Sequence, residues 1–301
     1  MLEQFREINF HDKTLRVIQQ ANVIIREMEA QGYTLTLRQL YYQFVARDWL
    51  QNTPQNYDRL GVIVDNARKA GLIDWDAIED RTRFLRRIPD YTDVPNFLTK
   101  SIPKYAEDIW RNQDTYCEVW LEKDALLGVV SRPCNERRVP YVACRGQASS
   151  SLLYESARRL QDKADEGKGV FVFYVGDHDP SGIFMPRSAG EWLDVYSYES
   201  GDVNLVRIAL NMDQIEALKP PPNAAKEADS RYISYVSEFS TKMCWELDAL
   251  PPKFLDDLVR DEIDKLIDWP QWDIDIAQET ERRRELEMFR DEYNTIKQRM
   301  A

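Results

Sequence analysis

Apolar side chains recur at helical spacing over residues 12–31, where Val17, Ile18, Ala21, Ile24, Ile25 and Met28 share a stripe that Gly32 terminates. Thr36 is placed to cap a second helix from Leu37 to about Trp49. Within it, positions 37, 40, 41, 44 and 45 follow the i, i+3, i+4, i+7, i+8 series of a buried face. A third helix is predicted over Asp58–Ala70, ending at Gly71. Three short helices followed by the arginine-rich stretch Trp75–Arg87 fit a winged-helix or helix-turn-helix module. Ile88–Pro103, with Pro89, Pro95, Pro103 and Asp93, reads as a linker.

Beyond the linker the period changes. Tyr116–Leu121 and Val139–Cys144 have strand character, Gln147–Glu166 is helical, and Gly169–Val175 is a continuous apolar run of the kind buried on both faces of a parallel sheet. Another helix follows Gly176–Gly182, and Asn204–Leu210 is a further strand. Alternating strands and helices imply a parallel α/β sheet. Pro220–Pro222 and Pro251–Pro252 interrupt the chain before an acidic helical tail over 255–300.

Composition narrows the chemistry. Apolar content of 43% with 31% charge belongs to a soluble globular protein, and no stretch reaches the roughly 18 apolar residues of a membrane span. The N-terminus lacks the apolar core of a secretory signal, and the four cysteines form no C-x-x-C pair, so buried thiols in a cytoplasmic protein are expected. With only His11 and His178, multi-histidine metal sites are excluded. Any metal must be a hard cation on carboxylates: magnesium, manganese or calcium. The net charge of −12 opposes nucleic-acid binding at first sight. It is uneven, however: residues 1–105 carry 15 Lys/Arg against 14 Asp/Glu, the remainder 25 against 38.

Ligands of parallel α/β sheets gather at the carboxyl ends of strands. Glu122 closes the first strand, and Asp177 and Asp179 close the long apolar one. Alternation along Asp177-His178-Asp179 sends both aspartates to one side, so three carboxylates converge as a hard-cation site able to neutralise phosphate charge. Asp-x-Asp alone also reads as a solvated turn or as an aspartyl-phosphatase motif. A calcium loop fits less well, because Ser181 stands at its third acidic position. In the second helix, Tyr41 belongs to the buried stripe, whereas Tyr42 lies about 100° away with Arg38 one turn before it. A guanidinium lowers the cost of a phenolate and can hold a phosphate oxygen, so Tyr42 is a candidate nucleophile toward a phosphodiester. An amphipathic surface tyrosine stacked on an arginine is the competing reading.

Thr36-Leu-Arg38-Gln-Leu-Tyr-Tyr42 resembles the R-x-x-Y-Y signature of the winged-helix domain in topoisomerase VI A subunits and the meiotic double-strand-break protein. Glu122-Lys-Asp-Ala-Leu, Arg145-Gly-Gln, Asp177-His-Asp-Pro-Ser-Gly182 and Trp245-Glu-Leu-Asp-Ala-Leu-Pro resemble, in order, the Toprim domain of that family. The resemblance implies a winged-helix DNA-binding domain over 1–95 and a linker over 96–114. A Toprim metal-binding domain over 115–250 and an acidic helical region over 251–301 follow. It further implies that Tyr42 attacks double-stranded DNA to give a 5′-phosphotyrosyl link and that Arg38 assists at the phosphate. Glu122, Asp177 and Asp179 would hold Mg²⁺ or Mn²⁺, with Glu122 also handling a proton at the leaving 3′-oxygen. A homodimer is implied, one protomer's tyrosine meeting its partner's metal, with a GHKL-type ATPase B subunit as a further partner. The chain itself carries no ATP-binding signature and is shorter than typical A subunits, as a standalone phage- or plasmid-like relative would be. Arg81, Arg83, Arg86 and Arg87 suit a DNA path by charge, or equally salt bridges to Asp76, Glu79 and Asp80. A Toprim nuclease using activated water and a non-cleaving DNA-binding or partner-recruiting protein are the alternative functions.

Overall fold

A computed structural model describes residues 2–78, 88–144, 149–197 and 203–300. Three helices open the chain: α1 (Asp12–Glu29), α2 (Leu37–Ala46) and α3 (Pro54–Lys69). The apolar stripe of α1 is its buried face, with Ile18, Ala21, Ile24, Ile25 and Met28 packed against Leu40, Phe44, Leu60 and Val64. Thr36 caps α2 as expected, in a reciprocal capping box with Gln39. α3 starts four residues earlier than the apolar pattern suggests. Thr53 accepts the Asn56 N–H, and Pro54 supplies a φ suited to the first turn. The predicted linker is not bare. Asp93 accepts the Asn96 N–H at 2.7 Å and starts α4 (Val94–Ser101), with Pro95 in the first turn, where a proline costs no hydrogen bond.

The second half is α/β. β1 (Thr115–Leu121), β2 (Tyr141–Ala143), β3 (Gly169–Val175) and β4 (Val203–Ala209) form one parallel sheet in the order β2-β1-β3-β4. Between them run α5 (Leu127–Glu136), α6 (Ser150–Asp165) and α7 (Pro180–Tyr196). Side chains alternate across the sheet. Cys117, Val119, Leu121, Phe173 and Val175 pack under α5 and α10 (Pro252–Asp264), while Trp120, Val170, Val172 and Tyr174 pack under α6 and α7. β1 and β3 are in register, Leu121 opposite Val175, so the residues that follow them emerge side by side.

After β4 come α8 (Met212–Leu218), α9 (Tyr232–Phe239), and a two-residue antiparallel pairing of β5 (Asn223–Ala224) with β6 (Met243–Cys244). The hydrophobic pattern does not announce that pairing. The acidic tail is two helices, α10 and α11 (Trp269–Met300), separated at residues 265–268. Among the described residues no helix is long and apolar enough to cross a membrane. Three of the four free cysteines are buried, and Cys244 is half-buried.

Candidate active site

The register of β1 and β3 accounts for the acid cluster. Glu122 continues β1, donating its N–H to the Val175 carbonyl at 2.9 Å, and its Oε2 accepts the Asp177 N–H at 2.8 Å. The backbone passes so close that a Cβ on either Gly176 or Gly182 would lie 2.9 Å from Glu122 Oε2. Asp177 is itself held on both oxygens: Oδ1 accepts the Leu247 N–H at 2.9 Å and Oδ2 pairs with Lys123 Nζ at 2.5 Å. Asp179 caps α7, accepting the Gly182 N–H at 2.6 Å. The three predicted acids therefore lie at one sheet edge and line a common cavity.

Tyr42 and Arg38 line the same cavity of about 600 Å³ as Glu122, Asp177 and Asp179. Tyr42, which helical spacing sets off the buried stripe, is nevertheless only 4% exposed, against the competing reading of a surface tyrosine. The off-stripe face of α2 is covered by the chain around Trp245–Leu250, whose Ala249 joins the core of the helical unit. The Arg38 guanidinium does sit over the Tyr42 ring, 5.8 Å from its centroid. It does not make the phenol acidic. Burial, and then the Glu246 carboxylate, push Tyr42 up to about 12, against the opposing pull of Arg38 and an Asn223 hydrogen bond. Arg38 is already engaged, ion-paired with Glu246 and 3.3 Å from Asp248 Oδ2. Tyr41 is the core residue expected: its hydroxyl accepts the Thr53 N–H at 2.7 Å and fixes the turn into α3.

Residues that sequence reasoning did not single out complete the cluster. Glu246 contacts Arg38, Lys123 (3.1 Å) and, through Oε1, the Asn223 amide at 3.4 Å. Asp248 is 1% exposed and 3.5 Å from Lys123. Burial alone would lower the Lys123 ammonium, but Asp177, Asp248 and Glu246 outweigh it and raise the group. The signal for Glu246 and Asp248 was two acids two positions apart inside the Trp245–Pro251 motif; Asn223 had none. Arg81, Arg83, Arg86 and Arg87, and the Arg145-Gly-Gln segment, lie outside the described residues.

Burial first, and then the neighbouring Asp177 carboxylate, raise the Glu122 carboxyl above its ordinary range. Burial likewise raises Asp177, opposed by Lys123. An all-carboxylate set suits a hard divalent cation in donor chemistry. As the side chains stand, no three His, Cys, Asp or Glu among the described residues are gathered to enclose an ion. Lys123 takes the outer oxygen of Asp177 instead. No protein-family model matches the chain, and no curated protein matches it.

Proposed function

We propose that the chain is a DNA-cleaving protein of the topoisomerase VI A-subunit type, pairing a winged-helix tyrosine with a Toprim acid site. One observation carries this reading: Tyr42 and Arg38, from the helical unit, share a cavity with Glu122, Asp177 and Asp179 from the sheet. In the reaction, the Tyr42 hydroxyl gives up its proton, and its oxygen forms a bond to a DNA phosphorus. The bond from phosphorus to the 3′-oxygen breaks, and that oxygen takes a proton. Glu246, in contact with the Tyr42 hydroxyl, is placed to accept the first proton, and Glu122, whose carboxyl is raised by burial, to supply the second. Arg38 would turn from Glu246 to the phosphate. Asp177, Asp179 and the Glu122 oxygen that does not carry the proton would hold Mg²⁺ or Mn²⁺, which would supply charge neutralisation at the phosphate. The homodimer, and a GHKL-type ATPase partner that would supply the ATP chemistry this chain lacks, belong to the same proposal. The tyrosine and acids of a single chain already face one another here, so exchange between protomers is a further step.

A second reading rests on the burial and raised pKa of Tyr42, which make it a reluctant nucleophile: a Toprim nuclease that activates water at the same acids. Supercoiled DNA incubated with the protein and Mg²⁺ or Mn²⁺, then denatured with detergent, separates the two. Protein-linked cleaved DNA that disappears in Tyr42→Phe and in Asp177→Ala is expected. Cleavage that survives Tyr42→Phe but not Asp177→Ala moves the assignment to the nuclease. DNA binding without cutting under either metal removes both.

A further inference from the structure

Asn223 stands where the helical unit meets the acid site. Its backbone is fixed by the antiparallel pairing of β5 with β6, opposite Cys244. Its side chain bridges two parts of the chain far apart in sequence. Oδ1 accepts the Asn52 amide, from the turn before α3, at 2.6 Å, and Nδ2 lies 3.4 Å from Glu246 Oε1. Asn223 lines the same cavity as Tyr42, Arg38, Glu122, Asp177 and Asp179.

The neighbours of that amide decide its orientation. Arg38 and Lys123 both pair with Glu246 Oε2, which leaves Oε1 to Asn223. A carboxylate can only accept, so the atom facing it is the NH₂ group, and the carbonyl oxygen turns to Asn52. The amide nitrogen has two N–H groups. The Tyr42 hydroxyl is hydrogen-bonded to both Glu246 and Asn223, and so takes the second. The phenol has one proton, which goes to the carboxylate; its oxygen accepts from Asn223 and keeps its other lone pair for phosphorus.

Arg38 does not fill this role. Its guanidinium sits over the Tyr42 ring, 5.8 Å from the centroid, with its nitrogens on Glu246 and Asp248. As the Tyr42 proton passes to Glu246 and the oxygen bonds to phosphorus, negative charge develops on that oxygen. A hydrogen bond to a charged acceptor is roughly twice as strong as one to a neutral acceptor. A donor already in place needs no reorganisation at the moment of reaction. We infer that Asn223 is a catalytic residue of the tyrosine reaction: its amide N–H holds the Tyr42 oxygen with a lone pair free for attack and stabilises the charge that develops there. This inference rests on the tyrosine-cleavage reading, since a nuclease using water would give Asn223 no such role.

Single-turnover formation of protein-linked DNA, at saturating supercoiled DNA and Mg²⁺, tests this alongside fluorescence anisotropy with labelled duplex. Asn223→Leu removes the donor at nearly constant volume. It is expected to slow the linkage about 100- to 1,000-fold, the effect of losing one donor at a developing charge, and to leave DNA affinity unchanged. Asn223→Asp keeps an oxygen for Asn52 but has no N–H, and it should be slowed at least as much. ¹H–¹⁵N spectra establish that each variant is folded, and either one reports on the donor should the other not fold. A wild type that forms no Tyr42-linked DNA removes the cleavage reading and this inference together. Where the wild type does form it, an undiminished rate in Asn223→Leu, a wild-type rate in Asn223→Asp, or a loss confined to DNA affinity overturns the inference alone.

Discussion

Lys123 is the point at which the acid cluster can be tested most directly. Its ammonium lies 2.5 Å from Asp177, 3.1 Å from Glu246 and 3.5 Å from Asp248, and the side chains of Asp177 and Asp248 are 5% and 0% exposed. Replacing it by methionine keeps the length and apolar stem but leaves three carboxylates facing one another. Breaking a buried pair by removing one partner costs about 3–5 kcal/mol. Lys123 retains 25% of its side-chain exposure, and Arg38 still serves Glu246 and Asp248, so the lower end, about 3 kcal/mol, applies. For a chain of this size that is a fall of about 5 °C in Tm. Sign and rescue follow from the charge. A divalent ion entering between the acids must displace the ammonium in the wild type but not in the variant. Saturating Mg²⁺ should therefore raise the Tm of Lys123→Met more than that of the wild type and close much of the gap; occupancy at 100 times Kd contributes about 2.7 kcal/mol. Differential scanning calorimetry with and without Mg²⁺ measures both quantities. If Lys123→Met melts with the wild type, or if Mg²⁺ shifts both proteins equally, the ammonium is not the counterion of these acids and the reasoning fails.

The raised Glu122 carboxyl sets a pH-dependent expectation. A group whose folded pKa is raised contributes stability that is present at low pH and lost as pH rises through the folded value, so Glu122→Gln should stabilise by about 2 kcal/mol at pH 8 and by nothing near pH 4. Equal urea midpoints at both pH values would refute this. His178 carries the opposite slope. Burial first, and then Arg207, depress it to about 4, so stability is full above about pH 6.5 and falls by about 3 kcal/mol as pH drops to 4. An NMR titration showing His178 protonated at pH 6 would contradict that slope. Inside β1, Glu118 is 2% exposed and held by Arg159 at 2.6 and 3.0 Å together with the Tyr116 hydroxyl and the Trp120 indole. Arg159→Ala should cost about 3 kcal/mol by leaving that carboxylate unpaired, and Glu118→Gln in the same background should recover part of it; a chemical-denaturation double-mutant cycle without coupling would remove the ion pair as a structural term.

The α/β architecture was readable because its signals are local and periodic. The stripe of α1, the Thr36 cap and the apolar run of β3 each depend on neighbours within a few residues. The convergence of Glu122 with Asp177 was readable for a related reason: in a parallel sheet the carboxyl ends of adjacent strands share an edge, so two strand-terminal acids meet without further information. What failed was long-range. Helical spacing placed Tyr42 off the buried stripe, which holds for α2 alone, but the chain 200 residues later folds over that face. The ion pairs of Arg38 and Lys123 with Glu246 have sequence separations of 208 and 123, beyond any periodicity argument. The start of α4 was obscured by prolines, which read as a linker until a capping Asp93 turns Pro95 into a first-turn residue; the first turn of α3, built on Thr53 and Pro54, carries no apolar periodicity.

The charge balance of the cavity connects these parts. Glu122, Asp177, Asp179, Asp229 and Glu246 line it against Arg38, Lys123 and Lys226, so carboxylates outnumber cations before any substrate arrives. The surplus is expressed in the raised carboxyls of Glu122 and Asp177, in the raised Lys123, and in a tyrosine whose phenolate is disfavoured by Glu246. A phosphodiester would add another negative charge to the same volume. Ground-state cohesion and reactivity therefore make opposite demands. The Arg38–Glu246 pair ties the helical unit to the segment after β6, the Lys123–Asp177 pair ties together the ends of β1 and β3, and the same two cations are the ones a phosphate would need. A divalent ion resolves the conflict on the proposed reading: it takes over the carboxylates and releases both cations toward the phosphate, so that binding of metal and of DNA are favourable together and each is weak alone.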